Sequence, residues 1–236
     1  MISYSVSARM RSVNDGDLLP HVVARSGLNL DQIDSVFGFL EYSPLYGGRP
    51  FAAREISNCD VQSLYEHGIG LRLPLTNHSV SQDEYKQQAQ FLRKYHRQGN
   101  TVIAVNDDFA LWVKHDYPDY EVEASAINEI DTAEKVESAL DLYDSVVLPV
   151  RCTTDEALLK SIPVETRSRI RIFATGGCAA TCPSRICYRS FSKYNKQLSG
   201  DLLCSMETKP RHFEGKVIYD LRVPKSLGYT KFKVVP

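Results

Sequence analysis

The chain of 236 residues lacks a large excess of charge of either sign and any long hydrophobic run. It carries 28 basic and 29 acidic residues, a net charge of −1, so no overall field draws it to nucleic acid or to an anionic membrane. No run approaches the roughly 18 apolar residues of a membrane span. The first residues lack the basic start, apolar stretch and cleavage site of a secretion signal. We therefore expect a cytoplasmic protein that does not enter a membrane.

Several catalytic motifs are also missing. The sequence contains no Walker loop, dinucleotide fingerprint, serine elbow or His-Glu-x-x-His helix. No linker rich in Ser, Gly or Pro divides the chain, and it has no internal repeat or low-complexity tract. We therefore expect one domain over residues 1–236, which is long enough to bury a core without disulfides.

What the sequence does contain is a series of short apolar segments that alternate with helical patterns. Such alternation is typical of strand-helix units around a parallel sheet. The predicted strands are 2–7, 36–40, 70–75, 101–106, 121–124, 145–150, 170–174, 216–221 and 231–235. The predicted helices are 59–66, 83–98, 109–116, 131–143 and 155–160. This order predicts an α/β fold, a parallel (β/α)8-type TIM barrel that is irregular or incomplete at the C-terminus, with either 216–221 or 231–235 as the closing strand.

Polar side chains follow most of these strands at the point where each strand ends. In a parallel barrel the carboxyl ends of the strands meet at one face, where the chemistry gathers. Strand ends are generally more polar than strand centres, which explains part of the pattern. Asn, Arg and carboxylate side chains recur at these strand ends, and this recurrence predicts a set of substrate-binding residues. They are Arg9, Glu41, Arg49, Asn77, Asn106, Ser125, Asn128 and Arg151.

Two residues in these loops are candidate catalytic groups, His78 and Asp107. Imidazole and carboxylate groups exchange protons near neutral pH. Each residue has a simpler interpretation as well. His78 could lie in a surface loop and have no catalytic role. Asp107 or Asp108 could cap the helix predicted to begin near residue 109.

Four of the six cysteines fall within 27 residues, in a segment at about 176–212 that we expect to be an insertion in the barrel. In a chain without a secretion signal, clustered cysteines more often bind metal or do redox chemistry than form structural disulfides. Four thiolates can complete the coordination of a [4Fe-4S] cluster or hold a zinc ion, and the spacing does not choose between them. Small buried or free thiols are a third interpretation. The candidate ligands are Cys178, Cys182, Cys187 and Cys204, with Cys152 able to replace Cys187.

Six segments carry a resemblance to a known family, namely 45–49, 54–77, 105–107, 117–125, 177–185 and 228–234. In this order along the chain they are similar to the collagenase-like peptidase family of barrel proteins. This family includes iron-sulfur proteins of oxygen-independent ubiquinone hydroxylation and of tRNA or rRNA hydroxylation. Two features differ from the family pattern. The cysteine spacing is different, and the given sequence stops at Pro236, where family members commonly carry a further C-terminal helix or domain.

The resemblance implies an iron-sulfur barrel protein of oxygen-independent hydroxylation that binds a polar or anionic substrate at the barrel mouth. It favours a [4Fe-4S] cluster over zinc, and RNA enters as a partner through the resemblance alone. Peptidase activity is not favoured, because no nucleophile-base arrangement or metalloprotease helix is present. A second hypothesis is a non-catalytic, metal-stabilised barrel that acts as a partner subunit or docks another protein. A third is a metal-free hydrolase or lyase that uses Asp107, Asp108 and His78.

Overall fold

The computed structural model describes residues 1–9, 13–14, 16–177, 182, 186–204 and 217–235. Eight parallel strands form a closed barrel, in which each strand pairs with the next barrel strand along the chain and the last pairs with the first. The predicted parallel α/β barrel is therefore confirmed. The barrel strands are β1 (Ser3–Ser7), β2 (Ile33–Phe37), β3 (Gly70–Leu73), β4 (Thr101–Ala104), β5 (Glu121–Ala124), β6 (Ser145–Val147), β7 (Ile170–Phe173) and β10 (Lys231–Val234).

The helices alternate with the strands, as the sequence predicts. None of those in the described ranges is long and apolar enough to cross a membrane. The helices are α1 (Leu18–Ser26), α2 (Asn58–Glu66), α3 (Gln82–Gln87), α4 (Ala89–Lys94), α5 (Asp107–Asp116), α6 (Ala133–Leu142), α7 (Glu156–Ser161), α8 (Ile186–Gln197) and α9 (Arg222–Ser226). Short 3-10 turns occupy Leu30–Gln32, Ala126–Asn128, Val150–Thr154 and Val164–Arg169.

Of the two predicted closing strands, 231–235 is the one that closes the barrel. Of the other segment, the described residues 217–221 contribute β9 (Val217–Ile218), which pairs antiparallel with β8 (Thr175–Gly176). This two-stranded ribbon extends the chain beyond β7, at the carboxyl end of the barrel. The sequence leaves this choice open because both segments are short, start with a lysine and are rich in apolar residues.

Strand β2 lies earlier than predicted, at Ile33–Phe37 rather than 36–40. Its pairing with β1 is irregular, because Tyr4 pairs with Ile33 and the next residue of β1, Ser5, pairs with Ser35. The residue left over is Asp34, which binds Arg171 of β7. Two polar residues in a row, Asp34 and Ser35, hide the start of this strand from a sequence-based prediction.

The predicted helix 83–98 is two helices, α3 and α4, separated at Gln88. Three helices were not predicted, namely α1, α8 and the short α9. In α1, Pro20 lies in the first turn, where its missing N–H costs nothing. Helix α8 falls in the expected cysteine-rich insertion and has twelve residues, and its buried residues include Phe191 and Asn195.

The strands have an apolar outer face and a polar inner face. On β7, Ile170 and Ile172 belong to the apolar layer between barrel and helices, while Arg171 alternates with them. TIM barrels usually fill the interior with branched apolar side chains. Here the buried interior residues include Arg72 of β3, Glu123 of β5, Arg171 and Lys233 of β10.

Glu123 is fully buried and binds two guanidinium groups. It forms an ion pair with Arg72, and its Oε2 lies 3.6 Å from Nε of Arg171. Arg171 also places Nη2 2.9 Å from Oδ2 of Asp34. Burial alone raises the pKa of Glu123, but the charges of Arg72, Arg171 and Lys233 outweigh burial and lower it. The carboxylate is therefore ionised at neutral pH.

Asp34 is the second carboxylate of this network and is bound to Arg171. Burial raises its pKa, but Arg171, Arg72 and hydrogen bonds from Ser35 and Ser3 outweigh burial and lower it to about 2. A carboxyl group whose pKa is lower in the folded state stabilises the fold above its unfolded pKa. This contribution is lost as the pH falls from about 4 to about 2.

Glu123→Gln keeps the shape of the side chain but removes the charge shared by Arg72 and Arg171. Removing the charge of one partner of a buried ion pair typically lowers the free energy of unfolding by about 3 to 5 kcal/mol, because the other charge remains buried. We expect a loss of this size in the free energy of unfolding, measured in urea.

The matched control is Glu137→Gln on the exposed face of α6, which we expect to change the free energy of unfolding by less than about 0.5 kcal/mol. Equal stability of the two variants would contradict the role given to Glu123.

Candidate functional site

A buried lysine, Lys233, lies in the carboxyl half of the barrel, the end here called the barrel mouth. On the two neighbouring strands it is paired in register with Ser5 of β1 and Phe173 of β7. Its Nζ is 4.6 Å from the ring centre of Phe37 and 5.9 Å from that of Phe173, close enough for cation-π attraction. Only 9% of the residue is exposed.

No described residue forms a hydrogen bond or an ion pair with the Nζ of Lys233. Buried ammonium groups are ordinarily paired. Burial lowers the pKa of Lys233, the carboxylate of Glu123 opposes this, and the charges of Arg72 and Arg171 lower it further, to about 8. A substantial fraction of the amine is therefore neutral just above neutral pH.

Three other buried atoms of the same interior also lack a hydrogen-bond partner. They are Oε1 of Glu123, Nε of Arg72 and Nε of Arg171. Buried polar groups are nearly always satisfied by protein, water or ligand. The interior therefore offers one acceptor and two donors, beside the amine of Lys233, to a polar molecule.

Apolar side chains form one wall of the barrel mouth. Phe173 packs with Val147 of β6 and Val150 in a cluster separate from the main core. Tyr219, which follows β9, and Ala126 pack against this cluster. A molecule at the barrel mouth thus meets charged groups below and an apolar wall at its side.

Helix α8 packs on the loops that follow β2 and β3. Asn195 of α8 is fully buried, and its Oδ1 accepts the N–H of Phe51 at 2.7 Å. Its Nδ2 donates to the carbonyl oxygens of Tyr46 at 3.0 Å and Arg49 at 2.9 Å. One amide side chain therefore fixes α8 to the loop after β2.

Asn77 and His78, two of the predicted site residues, also contact α8. Asn77 is fully buried and donates from Nδ2 to the carbonyl oxygens of Pro44 at 2.8 Å and Ser192 at 2.9 Å. The Nδ1 of His78 lies 3.1 Å from Oγ of Ser192. Burial and the nearby charge of Arg189 lower the pKa of His78. Both side chains join the loop after β3 to α8.

Three predicted charged residues are paired within the protein. Arg49 binds Glu55 through both terminal nitrogens and stacks 3.8 Å from the ring centre of Phe39. Glu41 accepts hydrogen bonds from Lys94 and Tyr95.

Arg151 binds two carboxylates of the loop after β5, those of Glu129 and Asp131. These contacts order the loops around the barrel mouth. A role of Arg49, Glu41 or Arg151 in substrate binding stays a prediction.

Two other predicted residues, Asp107 and Asn128, line one groove. It has a volume of about 620 Å³ and lies between the loops after β4 and β5 and one face of α6. The hydroxyl of Tyr143 donates to Oδ1 of Asp107 at 2.7 Å. His78 is not among the residues that line this groove. The two candidate catalytic residues therefore lie in different surroundings.

Asn106 and Ser125 act as local caps. The Oδ1 of Asn106 accepts the N–H of Phe109 at 2.9 Å, so the cap of α5 is Asn106, and neither Asp107 nor Asp108. Ser125 caps the following 3-10 turn through the N–H of Ile127. Arg9 is exposed after β1, and its carbonyl accepts a hydrogen bond from Arg25.

Part of the predicted metal site lies outside the described residues, because Cys178 belongs to 178–181. Of the others, Cys187 lies on α8, and Cys204 follows Leu203, whose N–H donates to Oγ of Ser190. Ser190 in turn donates to the carbonyl oxygen of Cys187 at 2.9 Å. Within the described part of the chain, no group of three or more His, Cys, Asp or Glu side chains could hold a metal ion. The four-cysteine ligand set therefore stays a prediction.

The interior charges are the part of the candidate site that we did not predict from the sequence. Their signal is a charged residue between two apolar residues of a barrel strand, as for Arg171 and Lys233. Such a residue must face the interior when its neighbours face the helices.

No protein-family model matches the sequence, and no curated protein matches it. Among solved structures, the chain is similar to the U32 peptidase Mk0906, with a TM-score of 0.65 and 14% sequence identity over 100% of this chain and 93% of that one. A second structure, the Legionella pneumophila ChiA C-terminal domain, has a TM-score of 0.43 and 12% identity over 74% of this chain and 77% of that one. The first match supports the resemblance to the collagenase-like peptidase family at the level of the fold.

Asn195→Ala removes three hydrogen bonds that join α8 to the loop after β2. The backbone groups left without a partner are buried, and each such group costs about 1 to 3 kcal/mol. We therefore expect the free energy of unfolding to fall by about 2 to 4 kcal/mol. Hydrogen exchange of the amides of α8 should become at least about tenfold faster.

Lys193→Ala, at an exposed position of the same helix, is the control and should leave exchange unchanged. Equal exchange rates in the two variants would show that Asn195 does not hold α8.

Proposed function

We propose that the chain binds a small anionic or polar substrate at the barrel mouth and that Lys233 anchors it. The observation that carries the proposal is an amine inside the barrel without an ion-pair partner among the described residues. An anionic group beside the amine would supply the missing partner.

The charges around Lys233 favour an anion over a cation. Arg72 and Arg171 are already bound to Glu123 and Asp34, so they act on a ligand mainly through their field. Their repulsion and burial lower the pKa of Lys233 to about 8. An adjacent anion favours the charged form of the amine and raises the pKa again. Binding is therefore coupled to proton uptake above pH 8.

The surrounding residues suggest the remaining chemistry of the ligand. Phe37 and Phe173 flank the amine, and Val147 and Val150 extend the apolar wall. A ligand that carries an apolar portion beside its anionic group would contact both kinds of surface. The unpartnered Oε1 of Glu123 would accept a hydrogen bond from a hydroxyl or amine of the same ligand.

The finer proposal, an iron-sulfur protein of oxygen-independent hydroxylation, rests on the family resemblance. If a [4Fe-4S] cluster is present, it supplies electron transfer, and Cys178, Cys182, Cys187 and Cys204 are its proposed ligands. The Ser190 hydrogen bonds, which join the chain at Cys187 to the residue before Cys204, support the nearness of two of the four. A partner subunit or RNA stays part of this finer proposal.

Anion binding is tested through the pKa of Lys233, followed by NMR of 13Cε-labelled lysine. We expect one lysine to titrate near pH 8 and its pKa to rise by about one unit or more on addition of benzoate or inorganic phosphate. This signal should be absent from Lys233→Met.

Lys231→Met is the matched control, two residues earlier on the same strand, and it should keep the signal. A Lys233 that titrates with the other lysines and ignores both anions would contradict the proposal.

The iron-sulfur proposal is tested by purification without oxygen. We expect about four iron and four sulfide ions per chain, with a brown colour that is lost in Cys178→Ala and Cys204→Ala. Cys59→Ala, an exposed cysteine of α2, should keep both. Colourless, iron-free protein from an iron-replete host would exclude the cluster and leave anion binding to its own test.

A further inference from the structure

We propose that Lys233 is a nucleophile that forms a Schiff base with a carbonyl group of the substrate. This inference rests on the proposed function, because it places the reacting carbonyl in the same anion-binding barrel mouth. It narrows the substrate class to oxo acids or aldehydes that carry an anionic group.

The surroundings of Lys233 meet the requirements of a nucleophilic amine. A lysine attacks a carbonyl only as the neutral amine, which a hydrophobic pocket or a nearby cation favours. Both are present, since Phe37 and Phe173 flank Nζ and Arg72 and Arg171 lie in the same interior. The lone pair is available, because no described residue hydrogen-bonds to Nζ.

The other lysines provide an internal comparison. Five of them form ion pairs with carboxylates. These are Lys94, Lys114, Lys135, Lys160 and Lys196. The Nζ of Lys225 lies 6.0 Å from the ring centre of Tyr4 and 5.7 Å from that of Phe232. Among the described lysines, only Lys233 combines burial with the absence of a counter-ion.

The reaction balances without an oxidant or reductant. The neutral Nζ attacks the carbonyl carbon, a C–N bond forms, and the carbonyl oxygen takes a proton to give a carbinolamine. The hydroxyl group then leaves as water with a second proton, and the C=N bond forms. The two protons in the departing water are the two that the nitrogen gives up, so the step is balanced without another reactant. The carboxylate whose charge acts on the amine is that of Glu123.

The charged groups that face Lys233 set the pH dependence of this step. They are Glu123 from β5, Arg72 from β3 and Arg171 from β7, with Asp34 joined through Arg171. Because their combined effect and burial lower the pKa of the amine to about 8, the rate of imine formation should rise as the pH increases from 6 to about 8. An ordinary lysine would continue to gain reactivity to about pH 10.

The test is reductive trapping with cyanoborohydride in the presence of pyruvate or glyoxylate, followed by peptide mapping. These probes carry a carbonyl next to a carboxylate. We expect one reduced adduct at Lys233, formed at least about tenfold faster at pH 7.5 than at any other lysine. Lys231→Met should retain the adduct, and Lys233→Arg, which keeps the charge but cannot form an imine, should lose it.

Two outcomes separate this inference from the proposed function. An anion-dependent pKa at Lys233 without an adduct, or adducts spread over the surface lysines, would overturn the Schiff base and leave anion binding standing. A Lys233 that neither responds to anions nor forms an adduct would overturn both. Peptide mapping of the unmodified sequence decides these cases even if a variant does not fold.

Discussion

The carboxylate of Glu123 is the charge on which the interior of the barrel depends. Two guanidinium groups, those of Arg72 and Arg171, are buried in a space that parallel barrels usually fill with branched apolar side chains. Glu123, together with Asp34, provides the compensation that keeps them there. Since both carboxylates are committed to arginines, the amine of Lys233 is left without a counter-ion. The arrangement that stabilises the barrel also creates its reactive position.

Most of the fold could be predicted, because the outer face of each strand follows a simple rule. Residues such as Ile170 and Ile172 recur at every second position, and helical patterns lie between strands. The rule failed where two polar residues in a row interrupt it, as at Asp34 and Ser35 in β2. It also failed at α8, whose polar residues, such as Asn195, are buried against loops rather than exposed to solvent. Tertiary hydrogen bonds of that kind leave no periodic pattern in the sequence.

The candidate site was harder to predict for a related reason. Loop residues after the strands were the natural candidates, yet Arg49, Asn77 and Arg151 bind other parts of the protein. The sequence specifies which residue types occupy these loops but not which partners they find. In contrast, Lys233 lies within a strand, where a single charge looks like an ordinary solvent-facing position. Only closure of the sheet turns that position inward.

The position of Lys233 on the closing strand also has a consequence for how the protein is made. Strand β10 pairs with β1, so that Ser5 contacts Phe232 across 227 positions of sequence. Contacts of such long range form late, because loop closure must precede them. During synthesis the seven preceding barrel strands emerge first, and Lys233 follows them. Until β10 pairs with β1 and β7, its amine is solvated and has the ordinary pKa of a lysine. The reactive amine is therefore assembled only when the barrel closes, and a partly synthesised chain does not carry it.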